Sequence, residues 1–153
     1  MIESFFKDLT EINGVEAIIV FDNHKRILDS WRVTQFNPTI FSEMGETFLH
    51  IFGMMEFLQS DIHEISVPYD KGIIYARTLP RFYLVIIAKL SVEIPLIRLT
   101  ANVCLKDAEE HRKYRKMIKK LPDKKFYQIK TTALDDVEKI MLENILEEFN
   151  GRK

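Results

Sequence analysis

Between a turn at Pro80-Arg81 and a helix start at Pro95 lies Phe82-Tyr83-Leu84-Val85-Ile86-Ile87-Ala88, a run without a single charged residue. A strand of that composition cannot leave either face in water, so it must be central in a sheet with helices packed on both sides. The segments before it supply its neighbours. Asp61 to Tyr69 alternates, with Ile65, Val67 and Tyr69 on one face and Glu64 and Ser66 on the other; Asp70-Lys71-Gly72 reads as a turn and Ile73 to Leu79 as the next strand. These three strands form a meander. Upstream, Val15 to Phe21 and Arg26 to Trp31 flank the turn-forming Asp22-Asn23-His24-Lys25, which predicts a hairpin.

The helices fill in around the strands. Ile2, Phe5, Phe6, Leu9 and Ile12 recur at helical spacing and Gly14 follows at a C-cap position, predicting a helix over 2–13. Asn37-Pro38 opens a second helix that runs to about Leu58. Pro95 stands in the first turn of a third, whose buried stripe is Ile94, Ile97, Ala101, Cys104 and Ala108 and which runs on into the charged Lys106–Lys120 region. Past Leu121-Pro122-Asp123 come a short Phe126–Ile129 stretch and a helix capped by Thr131 or Thr132, with Asp135 and Asp136 in its first turn and an apolar face of Leu134, Val137, Met141, Ile145 and Leu146. This order predicts an α+β fold: a five-stranded, mostly antiparallel sheet flanked by helices on both faces, with an appended C-terminal helical tail. Residues 1–120 form the domain, and residues 121–153 are expected to pack on it.

Composition excludes more than it specifies. The chain has 153 residues, 46% hydrophobic, with 22 Lys plus Arg against 23 Asp plus Glu and a net charge of -1, as for one ordinary globular domain. Its one cysteine, Cys104, cannot form an internal disulfide, the start lacks a secretory signal, and the apolar runs are strand-length, so the expected location is the cytoplasm. The glycines, at positions 14, 45, 53, 72 and 151, form neither a P-loop nor a dinucleotide fingerprint. His24, His50, His63 and His111 show no metal-ligand spacing, Cys104 lies on a buried stripe, and no serine has a nucleophile-elbow context. The expectation is a protein that is not an enzyme, with no cofactor and no metal.

Two features remain. Lys106 to Lys130 holds ten Lys or Arg against four acids, a stripe that could meet phosphates, an anionic membrane or an acidic partner. Residues 131–149 carry six acids and one Lys, so the plainer reading is neutralisation in place, and no nucleic-acid partner is expected. The other feature is the Pro38–Leu58 helix, whose apolar arc is wider than one sheet can cover. Ile40, Met44, Ile51, Met55 and Leu58 are read as its core-facing stripe. Phe41, Gly45, Leu49 and Phe52 extend beyond it and are expected to be buried against another molecule.

Three stretches, in this order and spacing, resemble the Roadblock dynein light-chain family, a relative of longin and profilin-like sandwiches. They are Gly14-Val15-Glu16-Ala17-Ile18-Ile19-Val20-Phe21-Asp22, Glu64-Ile65-Ser66-Val67-Pro68-Tyr69 before Lys71-Gly72, and Phe82-Tyr83-Leu84-Val85-Ile86-Ile87, covering residues 2 to about 116 together with their helices. The hairpin turn departs from the family's glycine-containing form by using Asn23 and His24, and the tail from Leu121 has no counterpart in the minimal domain. The resemblance implies a dimer, with itself or a paralogue, in which the Pro68-containing edge strands pair and the Pro38–Leu58 helices lie side by side. The implied interface is Phe41, Gly45, Phe48, Leu49, Phe52, Ile65 and Val67. It further implies a non-enzymatic regulator or scaffold that binds a Ras-like small GTPase. Two other readings stand beside it: a nucleotide-independent assembly subunit of a motor or membrane-tether complex, and a longin- or profilin-like sensor of a small ligand.

Overall fold

The computed structural model describes residues 1–125, 140, 141 and 144–147, the side chain of Pro38 apart. The elements are α1 (Ile2–Phe5), α2 (Lys7–Thr10), β1 (Val15–Asp22), β2 (Ile27–Arg32), α3 (Pro38–Phe57), β3 (Glu64–Tyr69), β4 (Gly72–Thr78), β5 (Phe82–Ala88), α4 (Ile94–Glu109) and α5 (Arg112–Lys119). The strands form one sheet in the order β2-β1-β5-β4-β3, antiparallel throughout. The expected α+β architecture is present. The Phe126–Ile129 stretch, the Thr131 or Thr132 cap and most of the extension lie outside the described residues.

β5 sits in the middle, every residue buried, and its alternation divides the core. Tyr83, Val85 and Ile87 join Ala17, Ile19 and Phe21 of β1 against Phe41, Phe48, Leu49 and Phe52 of α3. Phe82, Leu84, Ile86 and Ala88 join Ile18 and Val20 against Phe6, Leu9, Ile97 and Ala101 from the helices on the other face. A side-chain period of two thus gives one strand to two separate layers.

Two helices are broken where the sequence reads them as continuous. At Phe6 the backbone leaves helical geometry (φ -122°, ψ 23°), and its ring is wholly buried 6.4 Å from that of Phe82. At His111 the chain is extended (φ -86°, ψ 123°), which lets Tyr114 pack its ring 5.2 Å from Phe5 and 6.5 Å from Phe82. In both places burial of one aromatic ring overrides helix propensity.

The β1–β2 turn explains its lack of glycine. Asp22 Oδ1 accepts from the N–H groups of His24 (2.8 Å) and Arg26 (2.9 Å), its Oδ2 from Arg26 Nε (2.7 Å), and Lys25 takes the left-handed position at φ 59°. The buried Asn23 amide donates towards Pro80 O and Pro122 O, each at 3.0 Å, and Asp123 O at 3.2 Å. A glycine could not make these bonds. Arg81 holds Leu121 O at 2.8 Å, and Lys125 reaches Leu79 O at 3.2 Å and Glu56 of α3 at 3.6 Å. Residues 121–125 therefore form a strap across the end of the sheet, leading from α5 on one face to α3 on the other.

α3 is held by its N-cap, where Asn37 Oδ1 accepts from the Thr39 N–H at 3.0 Å, and by a central buried contact. Tyr83 Oη donates to Gly45 O at 2.7 Å, while the Phe21 ring stacks on Tyr83 at 5.0 Å and lies against the glycine. A Cβ on Gly45 would come within 2.5 Å of that ring. Gly45→Ala sets a helix-propensity gain of about 1 kcal/mol against an overpacking cost of about 1–3 kcal/mol. The buried ring has nowhere to retreat, so the expected result is a lower urea midpoint at unchanged m-value, equivalent to a stability loss of about 1 kcal/mol. A stabilised variant would show that Phe21 can move aside.

Candidate partner-binding surface

The close approach at Gly45 determines how α3 is rolled about its axis, and with it which apolar stripe is spent on the core. Phe41, Phe48, Leu49 and Phe52 are 1–5% exposed and Gly45 is buried, all against the chain's own sheet. The two stripes are therefore the reverse of the sequence expectation. Ile40 is exposed, and Met44, Ile51, Met54, Met55 and Leu58 are only half-buried along the flank of the helix. Hydrophobic periodicity gives the width of an apolar arc but not its phase. The legible signal was the glycine: a residue that permits close backbone approach belonged at the sheet.

Beside this flank the sheet ends at β3. Thr78 N–H donates to His63 O at 2.9 Å, and with the register Glu64↔Arg77 to Tyr69↔Gly72 this sets the alternation of the β3–β4 ladder. Ile65, Val67 and Tyr69 point their N–H groups at β4; Glu64 and Ser66 turn theirs outward, and Pro68, which has none, occupies the next outward position. Pro68 thus falls where a missing donor costs the sheet nothing, as expected on an edge. Ile65 borders the same core cluster as Met44 and Ile51, whereas Val67 (42%) and Tyr69 (38%) stand exposed on the α3 side. Of the expected interface residues, Ile65 and Val67 lie on this open margin. Phe41, Gly45, Phe48, Leu49 and Phe52 lie beneath it.

On the opposite side of β3, Glu64 receives Tyr75 Oη on Oε2 and Arg98 Nε on Oε1, both at 2.6 Å, and Arg77 is bonded to Asn102 of α4. Burial opposes ionisation of Glu64, but the bonds from Tyr75 and Arg98 and the charges of Arg98 and Arg77 outweigh it and hold its pKa below the ordinary 4.5. These contacts tie the edge strand to α4.

Other reactive side chains are dispersed. Burial and Asp8 push the Cys104 thiol up, which disfavours thiolate, and the four histidines sit on different segments. Among the described residues no group of three His, Cys, Asp or Glu is placed to hold a metal ion. A cleft of about 210 Å³ at the end of α3, lined by Phe52, Met55, His63, Leu79 and Lys125, is below the size of usual small-ligand pockets. No helix among the described residues is long and apolar enough to cross a membrane.

No protein-family model and no curated protein matches the sequence. Solved structures do. A Roadblock/LC7 domain from Streptomyces avermitilis superposes with a TM-score of 0.55 at 11% identity, covering 67% of this chain and 90% of that one. The fold is that of Roadblock/LC7 domains. Myxococcus xanthus MglB matches at TM-score 0.55 and 16% identity (68% and 85% of the two chains), and the gliding protein MglB from Thermus thermophilus at 0.55 and 12% (67% and 81%). At these identities the likeness is one of backbone.

Because the folded Glu64 pKa is depressed, its contribution to stability is complete above the unfolded value and is lost as pH falls through the folded one. The expected result is that Glu64→Gln lowers the urea midpoint at neutral pH and that its gap from the parent protein closes below about pH 4.5. A gap independent of pH would show that the Glu64 charge adds nothing.

Proposed function

We propose that this chain dimerises through the open β3 edge and the apolar flank of α3, and that the dimer binds a Ras-like small GTPase as a non-enzymatic regulator or scaffold. The supporting observation is the continuity of a strand edge that is unpaired among the described residues with a half-exposed apolar stripe: Ile65 and Val67 on one side, Ile40, Met44, Ile51 and Met54 on the other. An exposed edge invites another strand, and a lone apolar flank invites another helix. A two-fold axis through both would satisfy them together, since an isologous contact matches each surface with itself. The GTPase comes from the Roadblock resemblance. A regulator that binds one nucleotide state more tightly shifts the equilibrium towards it without donating a catalytic residue.

Ile40→Asp and Val67→Asp place a charge on the flank and on the edge at positions that are already exposed and outside the core clusters. Each is expected to keep the circular dichroism of the parent and to weaken dimerisation by about 100-fold or more in sedimentation equilibrium, since a charge buried in an interface costs several kcal/mol. Dimers of undiminished strength would remove the surface assignment. For the partner, the full chain is immobilised and offered native lysate with GDP or with a non-hydrolysable GTP analogue. Enrichment of a small GTPase in one condition supports a nucleotide-sensing regulator; equal capture in both favours the passive assembly subunit.

A further inference from the structure

α5 is a short amphipathic helix whose two sides have separate fates. Tyr114 is buried and Met117 and Ile118 are half-buried against the core, so the helix cannot roll. Arg112, Lys113, Arg115, Lys116, Lys119 and the C-cap Lys120 are all exposed, and among the described residues none of them forms an ion pair or a side-chain hydrogen bond. Cations near a helix C-terminus suit its dipole, but six on one short helix repel one another and call for an anion.

We infer that this face is the docking site of the chain's own acidic extension. Residues 131–149 contain Asp135, Asp136, Glu138, Glu143, Glu147 and Glu148 against the single Lys139, nearly the complement of α5. The tether is long enough. Lys125 follows Lys120 by five residues and so lies within about 18 Å of the end of α5, while the ten residues from Lys125 to Asp135 span up to about 33 Å. Covalent linkage supplies an effective concentration on the order of millimolar, which an outside anion must exceed.

The alternative resting place, the apolar flank of α3 to which the strap leads, is electrostatically wrong. α3 carries Glu43, Glu46 and Glu56 and no Lys or Arg. An acidic segment laid along it would meet like charge. Nucleic acid is a poorer occupant of α5 as well, because stacking needs exposed aromatic rings and Tyr114, the ring on this helix, is buried. The extension thus shields the basic face and leaves the β3 and α3 margin open.

Carbodiimide coupling, which joins lysines to carboxylates in direct contact, tests the assignment on the full chain. Mixing isotope-labelled with unlabelled protein separates links within a chain from links across a dimer. Expected are links within one chain from Lys113, Lys116, Lys119 or Lys120 to Asp135–Glu148, lost at about 1 M salt, where the screening length falls to about 3 Å. Lys116→Glu, Lys119→Glu and Lys120→Glu together should abolish them, with circular dichroism reporting that the fold persists. Links mainly to other lysines, or mainly across chains, would overturn the inference. A second arm uses vesicles rich in phosphatidylserine at low salt. A chain with the six acids changed to their amides is expected to bind, and the parent not; equal binding of both would show that α5 is open to an anionic membrane.

Discussion

The hydroxyl of Tyr83, buried beneath α3 and bonded to the carbonyl of Gly45, is the contact on which the rest of the molecule turns. An unmade bond at that depth would cost about 1–3 kcal/mol, and the Phe21 ring packed against the glycine makes the approach possible only in one orientation of the helix. That orientation commits the phenylalanines and Leu49 to the sheet. It leaves isoleucine and methionine on the flank, beside a strand edge that no described residue covers.

A single chain therefore presents an edge and a stripe that are each unfavourable in isolation. Native sheets usually blunt such an edge, and Pro68 does so in part by removing one outward donor. It leaves the outward N–H groups of Glu64 and Ser66, so pairing is restricted in register rather than abolished. The contacts of Glu64 with Tyr75 and Arg98 hold the strand against α4, which presents a rigid edge to a partner. Pre-ordering of this kind lowers the entropy that association must overcome.

Charge is divided in the same way as hydrophobic surface. α3 is acidic and α5 basic, on opposite faces of the sheet, although the whole chain is within one unit of neutrality. The strap from Leu121 to Lys125 passes between the two faces. Its anchors are specific: the Asn23 amide, Arg81 and the Lys125–Glu56 pair. The asparagine in the first turn and the chain that continues past α5 are thus one feature, since Asn23 holds the continuation in place.

Much of this was legible in the residues. The uncharged run of β5 required a central strand with two covered faces, and the alternation of β3, the turn at Asp70-Lys71-Gly72 and the caps at Asn37 and Pro38 placed their elements to within a few residues, because each rests on local backbone chemistry. The order of elements then left few topologies. Three matters were decided only in three dimensions. Burial of Phe6 and Tyr114 broke helices that propensity would have continued. Three carbonyls from distant turns converged on Asn23. The roll of α3 reversed the assignment of its two stripes. A sequence states which side chains are apolar and how often they recur; which of two apolar faces meets the sheet depends on the shape of the surface it must fit, and that surface is assembled from residues far away in the chain.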